Sequence, residues 1–455
     1  MGKYFGTDGI RGVVGEMIGD HPLGPVLAYL TGRAAATALI SSNYQGIKPN
    51  VMIAKDTRVS CDMLVSALAS GLCSAGADVT LLGVLPTPAV AYLVVKEGAD
   101  IGVVVSASHN PYEHNGIKLF GRNGFKLNDA LEEQIENLID DESGTLKPAN
   151  AYLGRVKGNH SHWVGEYVDH LVGLAEGHFN GRVAIDCANG AAYETACELF
   201  TKLGVDFEII SANPDGININ NKCGSTYLQP LKEKMKTGKF DVGFAFDGDA
   251  DRCIVLDETG ETVDGDIILA VIARIMHDNG TLKGDGFVGT IVTNSGINVF
   301  AHNHGFNFHR ADVGDRYVLE KMWQTGCNIG GESSGHLIFL DDATTGDGQL
   351  TAIKFLNVLA LSGKTVSELA HGIPRFPQVM PSYSLVGGAE QRDAIMSDTR
   401  LADEIRRQET LLSGEGRIHI RPSGTEPISR VLVEAKTSNE ATTIANSLID
   451  FIKSL

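Results

Sequence analysis

Short apolar segments alternate with helix-like stretches along most of this chain, and this alternation limits its fold more than any other feature. Three apolar, strand-like segments run directly into polar turns, after Ala54, Ile185 and Val292. Between them, apolar residues recur at helical spacing, for example in residues 64–72 and 131–139. Strands that alternate with helices are typical of α/β layers with largely parallel sheets. The threefold recurrence of the pattern predicts three similar α/β domains.

The length of the chain and a change of pattern near its end complete the domain prediction. With 455 residues, the chain is about three times as long as a common domain of ~150 residues. Beyond Pro374 a shorter α+β pattern follows, and it ends in a helix that contains Ile444, Leu448 and Ile452. We therefore predict three α/β domains with mixed sheets and a smaller C-terminal α+β domain. Their predicted limits are residues 1–155, 156–253, 254–370 and 371–455.

Charge and cysteine usage argue against nucleic-acid or membrane partners and against secretion. Acidic residues exceed basic ones by 56 to 38, which gives a formal net charge of −18 and argues against binding to nucleic acid or to anionic membranes. The apolar stretch 79–95 is interrupted by Pro86 and Pro88, and the N-terminal residues lack the apolar region of a signal peptide, so we expect neither a membrane span nor secretion. The seven cysteines occur singly, as is usual for reduced thiols in the cytoplasm.

An acidic turn in the middle of the chain is the clearest chemical feature. Asp247, Asp249 and Asp251 alternate directly after an apolar strand. Three close carboxylates repel one another unless a cation lies between them, and oxygen ligands select Mg²⁺ or Ca²⁺ over softer metals. An EF-hand is rejected because Arg252 occupies the position of the obligatory glycine. The turn therefore predicts a Mg²⁺ site, and an acidic surface turn is the alternative.

A second polar turn, residues 106–111, follows another apolar strand and contains Ser108 beside His109. Ligands of open α/β sheets bind at the carboxyl ends of strands, so this turn is a candidate nucleophile loop. A serine next to a histidine is common by chance, but a Mg²⁺ site nearby would neutralise a phosphoryl group carried on the serine. Lys118 lies close downstream and is predicted either to return to the same site or to be a solvated surface lysine.

Two glycine-rich turns have the composition of a sugar-phosphate site. The first, residues 330–336, contains Glu332 and Ser334 for sugar hydroxyls and His336 for proton transfer. The second, residues 421–427, offers guanidinium, hydroxyl and backbone N–H donors that suit a phosphate group. Its candidate residues are Arg421, Ser423, Gly424 and Thr425, with Arg430 shortly after.

Taken in order, these turns resemble the α-D-phosphohexomutase superfamily across essentially the whole chain. The resemblance begins at residues 3–12, which read KYFGTDGIRG, and continues through the four turns described above. Supporting matches occur at residues 86–90, 218–226 and 313–318. The opening segment and the segment VGDRYV at 313–318 are most similar to the glucosamine-phosphate branch.

The resemblance implies four domains around one central cleft, to which each domain contributes one loop. Ser108 would carry the transferable phosphoryl group and, with Asp247, Asp249 and Asp251, would hold one Mg²⁺ per chain. Glu332 and Ser334 would bind the sugar, and Arg421, Ser423, Gly424, Thr425 and Arg430 the distal phosphate. Four residues would serve proton transfer and charge stabilisation: Arg11, His109, Lys118 and His336.

The resemblance further implies reversible conversion of glucosamine 6-phosphate to glucosamine 1-phosphate through a 1,6-bisphosphate, on the route to UDP-N-acetylglucosamine and peptidoglycan. Glucosamine or glucose 1,6-bisphosphate would be the activator, the partner would be a phosphorylated hexosamine, and a homodimer is compatible with the family. The sugar loop reads Glu-Ser-Ser, however, where glucosamine members typically have Glu-Gln-Ser, so Ser333 leaves glucose and mannose phosphates as alternative substrates. A Mg²⁺-dependent phosphatase with Asp247 as nucleophile would leave Ser108 unused. A non-catalytic sugar-phosphate sensor would not need both a serine nucleophile and a metal site.

Overall fold

A computed structural model describes residues 2–6, 8–43, 48–141, 152–384, 395, 397–412, 416–422 and 428–455. In this part of the chain the strands form four larger sheets and one two-stranded ribbon. The predicted fold class, three mixed-sheet α/β domains and a C-terminal α+β domain, is confirmed.

The first domain contains a six-stranded sheet. Its elements are β1 (Ile10–Val13), β2 (Met17–Ile18), β3 (His21–Pro22), α1 (Pro25–Asn43), β4 (Asn50–Lys55), α2 (Cys61–Ser74), β5 (Asp78–Val84), α3 (Thr87–Glu97), β6 (Ile101–Val105), β7 (His114–Gly121), α4 (Asp129–Ile139) and β8 (Val156–Gly158). The strand order is β1-β7-β6-β4-β5-β8, with β2 and β3 forming the separate ribbon. Strands β6, β4, β5 and β8 are parallel, whereas β7 is antiparallel to both β6 and β1.

The second domain has a five-stranded sheet in the order β10-β9-β11-β12-β13. Its elements are α5 (His160–Val172), β9 (Arg182–Asp186), α6 (Ala192–Lys202), β10 (Asp206–Ile210), α7 (Gln229–Thr237), β11 (Val242–Phe246), β12 (Cys253–Leu256) and β13 (Thr262–Val263). Strands β10, β9 and β11 are parallel, and β12 and β13 follow as an antiparallel edge.

The third domain repeats this arrangement with four strands in the order β15-β14-β16-β17. Its elements are α8 (Gly265–Asp278), β14 (Gly286–Thr290), α9 (Ser295–Asn303), β15 (Asn307–Ala311), α10 (Asp315–Thr325), β16 (Ile329–Gly331), β17 (Leu337–Phe339), α11 (Gly348–Ser362) and α12 (Val366–His371). The first three strands of the sheet are parallel and β17 is antiparallel.

The fourth domain is built on an antiparallel sheet in which β21 pairs with β18, β19 and β20. Its elements are β18 (Gln378–Val379), β19 (Ser382–Ser384), α13 (Thr399–Leu411), β20 (Arg417–Pro422), β21 (Ile428–Glu434) and α14 (Ser438–Ser454). This domain has its own apolar core, whereas one continuous core cluster joins the first three domains. The three α/β domains are therefore packed directly against one another.

The three α/β sheets share a common strand order, since β5-β4-β6-β7, β10-β9-β11-β12 and β15-β14-β16-β17 correspond to one another. In each, the third parallel strand turns back into an antiparallel strand. The central strands β6 and β11 are buried at every residue, as expected for strands covered on both faces. The Ser108 turn, the acidic turn and the turn with Glu332 occupy this same connection, at residues 106–113, 247–252 and 332–336.

The predicted domain limits remain predictions, but strand pairing differs from them at two places. Strand β8 pairs with β5 of the first sheet, one strand beyond the predicted limit at residue 155. Strands β12 and β13 pair within the second sheet, beyond the predicted limit at residue 253. Strand β8 is short and exposed throughout, so it carries no apolar signal in the sequence.

No helix in the part of the chain that the structure describes combines the length and apolar character needed to cross a bilayer.

Candidate active site

The connecting turns of the first three domains meet at one point. The Ser108 hydroxyl, in the turn between β6 and β7, donates to Oδ2 of Asp247, in the turn between β11 and β12, at 2.6 Å. The Cys253 N–H donates to the carbonyl of Gly335, in the turn between β16 and β17, at 3.0 Å. A Cβ atom at Gly248 would lie 2.5 Å from the Ser108 carbonyl oxygen, so this approach of the first two turns requires glycine.

Ser108, the predicted nucleophile, is buried where the turns of the first two domains meet. Its side chain is buried, its exposed fraction being 1%, and its φ of 51° lies in the left-handed region. His109 Nδ1 lies 3.5 Å from the Ser108 Oγ. Burial, together with the cations of Arg252 and Arg11, lowers the pKa of His109 to about 4. The His109 ring is therefore uncharged near neutral pH.

The acidic turn forms a compact group of carboxylates. Oxygens of Asp247, Asp249 and Asp251 lie within 4.8 Å of one another, and all three residues are buried. Burial and the neighbouring carboxylates of Asp251 and Asp249 raise the pKa of Asp247 well above its usual range. Within the described residues, Oδ1 of Asp249 and Oδ1 of Asp251 are buried without a hydrogen-bond partner. Buried carboxylate oxygens without a hydrogen bond fit a cation site, and the cationic side chain beside Oδ1 of Asp251 is Arg252, with Nε 3.7 Å away.

Lys118 lies beside this group and is buried, with an exposed fraction of 2%. Its Nζ is 2.9 Å from Oδ2 of Asp249 and 3.0 Å from Oδ2 of Asp8. Burial opposes the charge, yet the carboxylates of Asp249 and Asp8 outweigh it and raise the pKa of Lys118 above its usual range. Lys118 thus returns to the site, and the alternative of a solvated surface lysine is wrong.

The remaining candidates for proton transfer and charge stabilisation surround the same group. Arg11, on β1, donates to the carbonyl of Ala107. His336 is buried, with Nδ1 3.5 Å from Oδ2 of Asp251 and Nε2 accepting the Gly346 N–H at 3.2 Å. Burial opposes the charge on His336, but the nearby carboxylates, Asp251 foremost, raise its pKa to about 9. The accepted Gly346 N–H, in contrast, fits a neutral ring with its proton on Nδ1.

The sugar-binding candidates lie in the turn between β16 and β17. A carboxylate oxygen of Glu332 accepts the Gly314 N–H at 2.9 Å, which fixes the side chain against the start of α10. The Ser334 Oγ is buried and has no hydrogen-bond partner among the described residues, so its hydrogen-bonding capacity is unused in this structure. Ser333 instead lines a cavity of about 670 Å³ between the third and fourth domains, together with Asp266 and Arg375.

The predicted phosphate loop is described only at its borders. Ser423, Gly424 and Thr425 lie outside the described residues, as does the side chain of Arg421. The backbone of Arg421 is at the end of β20, and its register partner on β21 is Arg430.

The loop begins on a strand that is anchored to the third domain. Arg417, at the start of β20, donates to Oε1 of the fully buried Glu434 at 3.0 Å and to the carbonyl of Thr293 at 2.9 Å.

Several residues at the site were not singled out from the sequence. Asp56, Arg58 and Asn220 hold the Ser108 turn through side-chain hydrogen bonds. Lys126 bridges Oδ1 of Asp8 and Oδ2 of Asp315, each at 2.6 Å. The Asp-Thr-Arg turn after β4 and the Asn-Ile-Asn segment at 218–220 were visible as polar segments, but nothing in their spacing indicated what they contact.

Comparison with known proteins agrees with this geometry. The profiles described as phosphoglucomutase/phosphomannomutase α/β/α domains I, II and III match residues 2–145, 165–260 and 264–376, and the C-terminal domain profile matches residues 387–451. A phosphoglucosamine mutase from Ruminiclostridium cellulolyticum is 45% identical over 455 residues, which cover 100% of this chain and 99% of the relative.

Solved structures share the fold at lower identity. A phosphoglucomutase/phosphomannomutase family protein from Burkholderia thailandensis has a TM-score of 0.80 at 24% identity, covering 99% of this chain and 98% of the other. An N-acetylphosphoglucosamine mutase from Aspergillus fumigatus, solved in complex with GlcNAc-6P and magnesium, has a TM-score of 0.68 at 19% identity, covering 99% and 95%. The chain belongs to the phosphoglucomutase/phosphomannomutase family and, within it, to the phosphoglucosamine mutases.

Proposed function

We propose that this protein interconverts glucosamine 6-phosphate and glucosamine 1-phosphate, with Ser108 as the phosphoryl carrier. The observation that carries the proposal is the hydrogen bond from Ser108 to Asp247, which joins a serine nucleophile to a group of buried carboxylates. The phosphoglucosamine mutase relatives, 42–45% identical over the full chain, support the sugar assignment. Glucose and mannose phosphates are the alternative substrates.

The proposed reaction has two phosphoryl transfers. In the first, a free hydroxyl of the sugar monophosphate attacks the phosphoryl group on Ser108, so that the Oγ–P bond breaks as the new sugar O–P bond forms. The hydroxyl proton passes to a base, a proton is delivered to the departing Ser108 Oγ, and the products are the free serine and a sugar 1,6-bisphosphate. After the bisphosphate turns over in the cleft, Ser108 accepts the other phosphoryl group and the isomeric monophosphate leaves.

Asp247, Asp249 and Asp251, with an oxygen of Ser108 or its phosphate, would hold one Mg²⁺. Carboxylate oxygens suit this hard cation, and the structural neighbour from Aspergillus was solved with magnesium. When bound, Mg²⁺ would neutralise charge on the phosphoryl group during transfer. The three aspartates themselves supply the grouped oxygens and the negative charge that the cation requires.

Of the four candidates for proton transfer and charge stabilisation, His109 and His336 have ring nitrogens that can accept a proton. Lys118 lies within 3.0 Å of two carboxylates and, with Arg11, would remain a cation that balances the phosphoryl charge. A cation bound to Asp251 would also weaken the attraction between that carboxylate and a charged His336, which favours the neutral ring. We therefore expect a histidine to accept the proton.

The two ends of the substrate would be bound by different domains. Glu332 and Ser334 are proposed to bind sugar hydroxyls, and Arg421, Ser423, Gly424, Thr425 and Arg430 the distal phosphate. The backbones of Arg421 and Arg430 are register partners in the β20–β21 pair, so both residues lie on the strands that flank the predicted phosphate loop.

Further properties are proposed on the same basis. A sugar 1,6-bisphosphate, glucosamine or glucose, would activate the enzyme by loading Ser108, and the product would feed UDP-N-acetylglucosamine synthesis. The reaction would take place in the cytoplasm, which suits the seven free thiols. A homodimer is compatible with the proposal, which requires no nucleic acid or membrane.

The decisive experiment compares Ser108→Ala with Ser70→Ala, a matched change at an exposed helical serine of the same domain. Mutase turnover with glucosamine 1-phosphate, Mg²⁺ and glucose 1,6-bisphosphate should disappear in Ser108→Ala and persist in Ser70→Ala. Peptide mass analysis of the wild type should locate one phosphate on Ser108 that the sugar phosphate removes. A phosphoryl group trapped on Asp247 would instead indicate a phosphatase, and an active Ser108→Ala variant would contradict the mechanism.

A further inference from the structure

The main-chain carbonyls around Ser108 are held by two side chains from different domains. Nη2 of Arg58 donates to the carbonyls of Ser108 and Asn110 at 2.8 and 2.9 Å. Nδ2 of Asn220, from the second domain, donates to the same two carbonyls at 2.9 and 3.1 Å. Each carbonyl oxygen thus accepts one bond from each domain.

The N–H side of Ser108 is fixed by a buried chain of hydrogen bonds. The Ser108 N–H donates to the Ser106 Oγ at 3.0 Å, and the Ser106 hydroxyl donates to Oδ2 of Asp56 at 2.6 Å. The same carboxylate oxygen accepts Nε of Arg58 at 2.8 Å. Both polar main-chain groups of Ser108 are therefore tied to the Asp56–Arg58 ion pair, whose two side chains have no exposed surface.

This arrangement matters because Ser108 adopts an unfavourable backbone conformation. Its φ of 51° is seldom adopted by residues with a side chain, and such a conformation persists only where the surrounding structure determines it. The direction of the Oγ towards Asp247 depends on that conformation. Loss of a donor to the Ser108 or Asn110 carbonyl would let the turn relax and move the Oγ away from the carboxylates.

Asn220 is suited to connect the two domains. It has a φ of 55°, which asparagine tolerates better than most residues, and its own N–H donates to the carbonyl of Ala188 at 2.9 Å. Its amide therefore reaches the Ser108 turn from a fixed point of the second domain, which also carries Asp247.

We propose that Asn220 and Arg58 are positioning residues that hold Ser108 in the orientation needed for phosphoryl transfer, with Asn220 setting the nucleophile against the carboxylates of the second domain. Both act through the backbone of the turn. The inference rests on the proposed function, because the positioning of Ser108 is measured through phosphoryl transfer.

The test compares Asn220→Asp with Asn218→Asp. In the first variant a carboxylate oxygen replaces an N–H donor opposite two carbonyl oxygens. In the second, the same change faces the carbonyl of Asn213, which the Asn218 amide contacts at 3.0 Å, away from the Ser108 turn. We expect kcat of Asn220→Asp to fall about 10- to 100-fold, the scale of a small misplacement of reacting groups, with KM for the sugar phosphate little changed. Asn218→Asp should retain the wild-type kcat.

A second readout does not require the full mutase cycle. Intact-mass analysis of dephosphorylated protein mixed with glucose 1,6-bisphosphate gives the rate at which Ser108 gains a phosphate. This rate should fall in Asn220→Asp by a factor similar to that in kcat. If wild type gains the phosphate but does not interconvert the sugar phosphates, the proposed function fails while the positioning role is still measured.

Arg58→Lys provides a second variant, which keeps the positive charge beside Asp56 but removes the guanidinium that reaches several carbonyls. It should slow phosphorylation of Ser108 as Asn220→Asp does. Equal losses in Asn220→Asp and Asn218→Asp, or a phosphorylation rate of Asn220→Asp equal to that of wild type, would overturn the inference. A rise in KM with unchanged kcat would also overturn it, because that result indicates lost substrate binding.

Discussion

The Oγ of Ser108 lies 2.6 Å from Oδ2 of Asp247 although the two residues belong to different domains. Each residue lies in the connection between the third parallel strand and the antiparallel strand of its sheet. The site consequently depends on how the first and second domains pack, and one continuous apolar core fixes that packing. Substitutions at the site should therefore affect both activity and the stability of the domain contact.

Lys118→Met should destabilise the protein strongly. The Lys118 ammonium lies within 3.0 Å of Asp8 and Asp249, and removing one partner of a buried ion pair costs about 3–5 kcal/mol. Urea unfolding in EDTA should show this decrease in the free energy of unfolding. Lys202→Met, which removes a surface lysine paired with Asp169 and Glu198, is the control and should cost at most about 1 kcal/mol. Similar losses in the two variants would contradict a buried charge network.

Asp249→Asn should weaken the binding of Mg²⁺. The change removes one negative charge from a group whose oxygens lie within 4.8 Å of one another. Because loss of even an indirect partner of a metal ligand costs about 10- to 100-fold in affinity, we expect the Mg²⁺ concentration for half-maximal activity to rise by about 100-fold or more. Activity measured against Mg²⁺ concentration tests this, with Asp278→Asn at an exposed helix end as control. Undiminished activity of Asp249→Asn at limiting Mg²⁺ would contradict the proposal that Asp249 binds the metal.

Glu332→Ala and Arg421→Ala should separate recognition of the sugar from recognition of the phosphate. Glu332 lies in the β16–β17 turn of the third domain, whereas Arg421 is the penultimate residue of β20 in the fourth. Loss of a sugar contact should change the ratio of kcat/KM between glucosamine and glucose phosphates, and loss of a phosphate contact should lower kcat/KM for all of them alike. Steady-state kinetics on a panel of hexose and hexosamine 1-phosphates distinguishes the two. If both variants lost kcat/KM equally for every sugar phosphate, the proposed separation of sugar and phosphate recognition would be wrong.

Ser333→Gln should leave sugar preference nearly unchanged. Ser333 lines the cavity between the third and fourth domains with Asp266 and Arg375, and the volume there can accommodate a longer side chain. A contact with the substrate is worth about 10-fold or more in discrimination, so a change below about threefold in the glucosamine-to-glucose ratio is expected. The same substrate panel measures it. A tenfold shift would show that this position contacts the sugar.

The parts of the site that lie within one short segment could be predicted from the sequence. Asp247, Asp249 and Asp251 follow a fully buried strand, so their alternation already implied a common location. The turn with Ser108 was predictable for the same reason, because its strand is uniformly apolar. In both cases the strand and the functional residues are adjacent in the chain.

Contacts between domains could not be predicted in this way. Asn220 lies 112 residues from Ser108, and Lys126 lies 189 residues from Asp315. The sequence does not show which polar residue contacts another domain, because polar turns at a domain contact have the same composition as polar turns that face solvent. Strand β8 was missed for a related reason, because its residues are exposed and give no apolar pattern.

The burial of Ser108 also limits which phosphate donors could load this serine in the proposed mechanism. A protein kinase binds an extended segment around the hydroxyl that it modifies, whereas Ser108 is 1% exposed, has a left-handed φ of 51° and has its hydroxyl hydrogen-bonded to Asp247 of the second domain. We therefore expect the folded protein to be a poor substrate for protein kinases at this serine. In the proposed mechanism the phosphate donor would have to be a molecule small enough to reach this buried hydroxyl, and a sugar 1,6-bisphosphate is one such molecule.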